Sequence, residues 1–270
     1  MKIIYYLASI GIGLFLLSGC DLEKEIDVPL PPYENKLVVE CYLEAGKPYR
    51  MAVSESSSYF AGVEIPDVAF ANAIITSNNR PVRLRYEIEV DEENQKAYNY
   101  SATNIIDSQL NKEYELEVKD TNGRTVTGKA KFLPFVPITE VEYKYNEDST
   151  KAFILAHFED DPSQNNYFRF QVHKDSLNRG AELDFTLDDT FASGTEITIG
   201  TGYNYEPGDT VYVTVYHIER SYFDFLESVE SASSANGNPF AQPARVKSTV
   251  QGGIGVFATL VYDRKRIVIE

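Results

Sequence analysis

One segment constrains the fold more than any other: Glu113-Tyr114-Glu115-Leu116-Glu117-Val118-Lys119 alternates charged and apolar side chains without a break. A period of two is the pleat of a β-strand, so Tyr114, Leu116 and Val118 share one face and the charges share the other. Such a strand covers a core on one side only and needs a second layer across from it. Asp120-Thr121-Asn122-Gly123 follows. Asn-Gly predicts a type I′ hairpin, because both central residues of that turn take positive φ. The return strand is expected from Arg124 to Phe132.

The same reading extends in both directions. Before this hairpin, strands are predicted at Leu37 to Leu43, Tyr49 to Ser54, Ala73 to Ser77, Val82 to Val90 and Ala97 to Ser101, with Gly46, Asn78-Asn79 and Asp91-Glu92-Glu93-Asn94 between them. About seven short strands in roughly a hundred residues suit an antiparallel β-sandwich of immunoglobulin-like type. Leu133-Pro134-Phe135-Val136-Pro137 breaks the pattern and marks a boundary, since two prolines among aliphatic residues make a short, stiff connection. Further strands are predicted at Ile138 to Tyr145, Ala152 to Phe158, Tyr167 to His173, Glu196 to Gly200, Thr210 to Ile218, Gly255 to Tyr262 and Arg266 to Ile269. Tyr167-Phe168-Arg169-Phe170 carries rings on both faces, which predicts cover on both sides. One helix is expected near 221–233, with Ser221 as its cap and Tyr222, Phe225, Leu226 and Val229 as its apolar stripe. The expected fold is therefore all-β: two consecutive antiparallel sandwiches, at 36–134 and 135–270, the second carrying one amphipathic helix.

The start of the chain has a different grammar. Met1-Lys2, an apolar run from Ile3 to Leu17, and Leu17-Ser18-Gly19-Cys20 make a secretory signal too short to span a bilayer comfortably. The last four residues resemble a bacterial lipobox, which implies a signal peptide at 1–19 and a lipid-bearing Cys20. Two or three acyl chains, at about 0.8 kcal/mol per buried methylene, would hold the protein on the membrane without crossing it. Residues 20–35 then read as a tether: Asp21 to Asp27 is acidic, and Val28-Pro29-Leu30-Pro31-Pro32 favours an extended chain. The acidic stretch reads equally as a solvated linker or as a signal for export to the outer face of the outer membrane. Cys41 then remains as the one free thiol, expected to be small, buried and inert.

Composition excludes several roles. With 41 acidic against 25 basic side chains and a formal charge of −16, the chain lacks the bulk positive charge that displaces counterions from phosphates, so no nucleic-acid partner is expected. His157, His173 and His217 sit in predicted strands without the spacing of a metal site and read as structural. No Gly-x-Ser-x-Gly elbow occurs. Gln251-Gly252-Gly253-Ile254-Gly255 leads into a strand rather than a helix, so its glycines are expected to permit close approach of chain to chain rather than to cradle phosphate. Calcium takes six to eight oxygens, which makes Asp160 and Asp161 beside Glu159, and Asp188 and Asp189 near Asp184, weak candidates against solvated acidic loops. Tyr98 and Tyr100, Tyr203 and Tyr205, and Tyr59 with Phe60 lie in or near turns, where a ring can stack on a sugar or anchor a partner, or can simply serve the sheet.

Several stretches in order resemble a known family: Cys20 with Glu23 to Val28, Leu37 to Glu40, Leu110 to Val118, Phe158 to Pro162, Asn166 to Phe170, Gly208 to Val211, Asn238-Pro239-Phe240 and Gly252 to Phe257. Together they are similar to the Bacteroidota outer-membrane lipoproteins grouped as domain of unknown function four-two-four-nine. The chain departs at Cys41, where a small residue such as glycine is expected, and at Ser248-Thr249. The resemblance implies a lipid-anchored protein of the cell outer membrane, exposed at the surface if the acidic stretch is an export signal. By association with TonB-dependent transporters, it also implies a non-enzymatic binding or assembly accessory of such a β-barrel. Neither a cofactor nor a catalytic residue is expected. The alternatives are a surface adhesin or structural envelope protein and, behind it, an extracellular glycan or peptide hydrolase.

Overall fold

Alternation in the sequence becomes alternation in burial. In β1 (Leu37–Glu44) every second residue, from Leu37 to Leu43, is buried, and β6 (Glu113–Lys119) buries Tyr114, Leu116 and Val118 while its charges face solvent. The computed structural model describes residues 33–58, 66–92, 96–189, 196–235 and 244–270, and Cys20, the tether through Pro32, Tyr59-Phe60 and Asn238-Pro239-Phe240 lie outside them. The remaining strands are β2 (Pro48–Glu55), β3 (Asn72–Ser77), β4 (Arg80–Asp91), β5 (Lys96–Ile105), β7 (Thr125–Lys131), β8 (Ile138–Tyr145), β9 (Ala152–Glu159), β10 (Tyr167–Lys174), β11 (Leu183–Asp188), β12 (Glu196–Gly200), β13 (Thr210–Ile218), β14 (Val250–Gln251) and β15 (Ile254–Val268), with helix α1 (Arg220–Ala235) after β13. Among the described residues no helix is long and apolar enough to cross a membrane.

Among the described residues twelve strands form one continuous sheet, in the order β11-β10-β13-β15-β1-β2-β5-β4-β3-β6-β7-β14, and β12-β9-β8 form a second. Two long strands change partners along their length. The first half of β4 pairs with β3 and the second half with β5. In β15, Ile254 to Leu260 pair parallel with β1, and Val261 to Val268 pair antiparallel with β13. The first sandwich thus closes β1, β2 and β5 over β3, β6 and β7, around a core that includes Cys41, Met51, Tyr100, Tyr114 and Phe132. The second closes β10 and β13 over β9 and β12, around Phe158, Phe168, Phe170 and Val213. The first core runs to Phe132 and resumes at Val250 and Phe257, so the boundary expected at 134/135 separates the strands only in part: β14 and the first half of β15 belong to the first sandwich, and residues 35–270 form one compact unit.

Local details differ from the sequence reading. The Asp120–Arg124 turn is not type I′: Gly123 alone has positive φ (85°), and its N–H donates to the Asp120 carbonyl. A side-chain contact explains the change, because Asp120 accepts from both the backbone N–H and Nε of Arg124 and fixes a longer loop. The turn with two positive φ values is Asn78-Asn79 (50° and 57°), which joins β3 to β4. Helix α1 starts before Ser221, with the Glu219 carbonyl accepting from the N–H groups of Tyr222 and Phe223. Its apolar face is Tyr222, Phe223, Phe225 and Leu226, whereas Val229 is exposed. Residues 255–269, predicted as two strands, are spanned by β15 without interruption as far as Val268.

Candidate functional site

The continuous sheet has a second face, turned away from both cores. Tyr42 and Glu44 stand on it from β1, Lys96 and Tyr98 from β5, Arg169, Gln171 and His173 from β10, Tyr216 from β13 and Arg264 from β15. Over part of this face α1 docks on Tyr216, Val256, Ala258 and Leu260, forming a third, smaller apolar cluster. This cluster supplies the second cover that the rings of Tyr167-Phe168-Arg169-Phe170 called for: Tyr167 meets Phe223 at a centroid distance of 5.0 Å, while Phe168 and Phe170 lie in the second core. Beside α1 the face stays open as a cavity of about 300 Å³. A recess of about 190 Å³ shares Glu44, Lys47, Arg50, Tyr216 and Arg264 with it.

The walls are held by fixed polar contacts. Arg169 donates from Nε and Nη2 to the two oxygens of Asp184 at 2.7 and 2.5 Å, and from Nη1 to the Tyr222 hydroxyl at 3.1 Å. Gln171 adds a bond to Asp184 at 2.9 Å. Burial alone would raise the Asp184 pKa, but Arg169 outweighs it and holds the carboxyl below the usual carboxylate range. Arg264 donates from Nε to Thr214 Oγ1 at 2.9 Å and lies over the Tyr262 ring, and Tyr262 donates to Glu44 at 2.8 Å. Lys96 sits 4.5 Å above the Tyr42 ring and contacts Glu40. Burial, and then the charge of Arg169, push its ammonium down to about 8. His173 is buried, and its Nδ1 has no hydrogen-bond partner. Burial and Arg264 push its imidazole toward the neutral form.

The acidic candidates fall elsewhere. Asp161 is spent on Ser163 and Gln164, and Asp189 accepts from the Asn166 N–H at 2.7 Å. Asp160 is buried with Oδ1 unpartnered, and burial together with the charge of Asp189 raises its pKa. Asp188 ends β11. Among the described residues no group of three or more His, Cys, Asp or Glu is placed to hold a metal ion. His217 bridges the Pro134 carbonyl and Asn166, tying the connection between the sandwiches to the β9–β10 loop. Tyr100 and Tyr205 are core residues, Tyr203 is exposed, and Tyr98 lines the cavity. Cys41 is fully buried, and burial raises its thiol pKa. The glycines do permit close approach: a Cβ on Gly255 would lie 1.9 Å from the Val39 carbonyl oxygen.

The family model described as Domain of unknown function (DUF4249) matches residues 23–266. The chain belongs to this family. No curated protein matches it. Among solved structures, the crystal structure of a Bacteroides uniformis protein provisionally described as carbohydrate-binding aligns at 12% identity, covering 67% of this chain and 88% of that one. Its TM-score is 0.22, a likeness too slight to bear on fold or ligand. For this family member the cavity rests on Lys96, Arg169 and Arg264, which the sequence reading missed as a group. A signal for them was present, namely cations at the outward positions of apolar strands in a strongly acidic chain.

Proposed function

We propose that this chain is a lipid-anchored protein of the outer membrane that binds a small ligand on the open face of its sheet, as a non-enzymatic accessory of a TonB-dependent transporter. The cavity beside α1 carries this reading, since small-molecule sites are concave and hold polar groups in fixed positions, and here charged side chains stand among the rings of Tyr42, Tyr98, Tyr216 and Tyr222. Both carboxylates that line it are engaged, Asp184 by Arg169 and Gln171, and Glu44 by Tyr262, which favours holding a ligand over acid-base turnover. The lipobox ending at Cys20 and the acidic tether supply the anchor in this reading. Purification of the native protein from detergent-solubilised outer membranes, with intact-mass analysis, tests it. Diacylglycerol and an acyl chain on Cys20 and a co-purifying β-barrel transporter are expected. An unmodified thiol at Cys20, or the absence of any such barrel, would overturn the anchor or the partnership respectively.

A further inference from the structure

His217 is a buried ring between two oxygens. It is 5% exposed and stacks on Phe168 at a centroid distance of 5.3 Å, with Val261 of β15 beside it in the sheet. Nδ1 faces the Pro134 carbonyl at 2.8 Å, and Nε2 faces Oδ1 of Asn166 at 3.1 Å. The Asn166 amide cannot turn to offer its nitrogen instead, because Nδ2 already donates to the Asp161 and Gln164 carbonyls at 2.9 and 3.2 Å. Both partners of the ring are therefore acceptors. A neutral imidazole carries one N–H and serves one of them, whereas an imidazolium carries two and serves both. In the neutral ring the hydrogen goes to the shorter contact, at Pro134, and Nε2 and Oδ1 are left lone pair to lone pair.

The charges around the ring decide how it titrates. Asp160, just past β9, is buried with Oδ1 unpartnered, and its carboxylate favours the charged ring. Asp189, past β11, acts on Asp160 and accepts from the Asn166 N–H. Asp263 on β15 is engaged by the Ile138 N–H and by Lys265, and Glu219, two residues on from the ring, by the Lys131 N–H. Burial outweighs the Pro134 carbonyl and Asp160, and holds the imidazole below histidine's ordinary range. Charging the ring as pH falls therefore costs net stability even as it supplies the second hydrogen, so the effect is local and is read at the ring.

We propose that His217 is a proton-operated clasp at the joint of the two sandwiches: neutral, it holds the Pro134 carbonyl alone, and protonated in acid it also donates to Asn166, tying the β9–β10 loop to the connection. Asn166 immediately precedes β10, the strand that carries Arg169 and Gln171 to the cavity wall, so the proton acts at the root of that wall. The clasp goes beyond the binding role proposed above and stands without it.

Long-range proton–nitrogen NMR correlation of the full mature chain, isotope-labelled at histidine, tests this, because it reads each ring nitrogen separately. The chain has three histidines, and His157→Gln and His173→Gln assign the third. Above about pH 7 His217 should show a proton on Nδ1 alone, and on acidification a second proton at Nε2, with the Asn166 side-chain amide shifting at the same midpoint. Asn166→Asp sets a carboxylate against Nε2 and should raise that midpoint by about one pH unit, a tenfold gain in proton affinity. Asp160→Asn removes the favouring charge and should lower it by a similar factor. Urea midpoints near the parent's establish that each variant folds, and the parent's own titration decides where a variant does not. A ring that keeps one proton down to the acid limit of the fold overturns the proposal. So does a proton on Nε2 alone at neutral pH, or a midpoint that both substitutions leave in place.

Discussion

The two faces of the continuous sheet are built from the same strands to opposite ends. On β10, Phe168, Phe170 and Val172 point into the second core and are fully buried, while Arg169, Gln171 and His173 alternate with them on the other side and line the cavity. On β1, Val39, Cys41 and Leu43 fill the first core, while Tyr42 and Glu44 face the same cavity. One face closes by apolar packing. The other is closed by α1 over only part of its area and otherwise holds its charged groups in place through ion pairs and ring contacts. A strand of alternating character can therefore hold a fold and present a site at once, provided its register is fixed.

This contrast can be broken at several points. The largest effect is expected on the core face: Phe170→Ala leaves a cavity among closed-packed rings and costs about 3–5 kcal/mol of stability. Chemical denaturation measures it, and a loss below about 1 kcal/mol would mean that the second core is not closed as described. Next comes the seam that joins the sandwiches. Gly255 has φ +127° and no room for a Cβ against Val39, so Gly255→Ala strains the β1–β15 pairing and costs about 2–4 kcal/mol. Hydrogen exchange should rise at Val39 to Leu43 and at Val256 to Leu260 in that variant; unchanged protection there would deny that the seam depends on this glycine.

Acid has a smaller effect, with a definite sign. At Asp184 burial raises the pKa and Arg169 more than reverses it, and at Asp120 Arg124 does the same. A depressed folded-state pKa gives stability that is complete above the unfolded value of about 3.9 and is lost as pH falls through the folded value. Urea midpoints should therefore agree between pH 7 and 5 as far as these groups are concerned, and fall by pH 3. Equal midpoints at pH 5 and 3 would contradict the pairing. The smallest effect belongs to the open face: Lys96→Gln should change stability by less than about 1 kcal/mol, because it removes a partly exposed ion pair with Glu40 and a ring contact rather than packing from a core. A loss as large as that of Phe170→Ala would place Lys96 in the scaffold.

Much of the core face was legible in the sequence because its signal is local. Tyr114, Leu116 and Val118 announce their shared side by spacing alone, and so do Phe168 and Phe170. What joins distant residues was not legible. The parallel pairing of β1 with β15 depends on partners such as Val39 and Gly255, far apart in the chain, and no short pattern encodes it. The strand β11 was hidden because Asp184 and Asp188 read as a solvated acidic loop, whereas Asp184 is a strand residue held by Arg169 on the neighbouring strand. Asp263-Arg264-Lys265 likewise looked like a break between two strands, and β15 runs through it because its outward side chains face the polar side of the sheet. The open face escaped the sequence reading for the same reason: Lys96, Arg169 and Arg264 come from three strands and meet only in the folded sheet.

The central claim, that one sheet closes a core on one face and keeps a cavity of polar and aromatic groups open on the other, is tested most directly by a crystal structure of the mature protein. Phe168 and Phe170 should lie in the second core, with Arg169, Gln171 and His173 on the opposite face, lining a solvent-open cavity beside α1. A register that turns Arg169 toward the core, or a helix that covers the cavity outright, would contradict it.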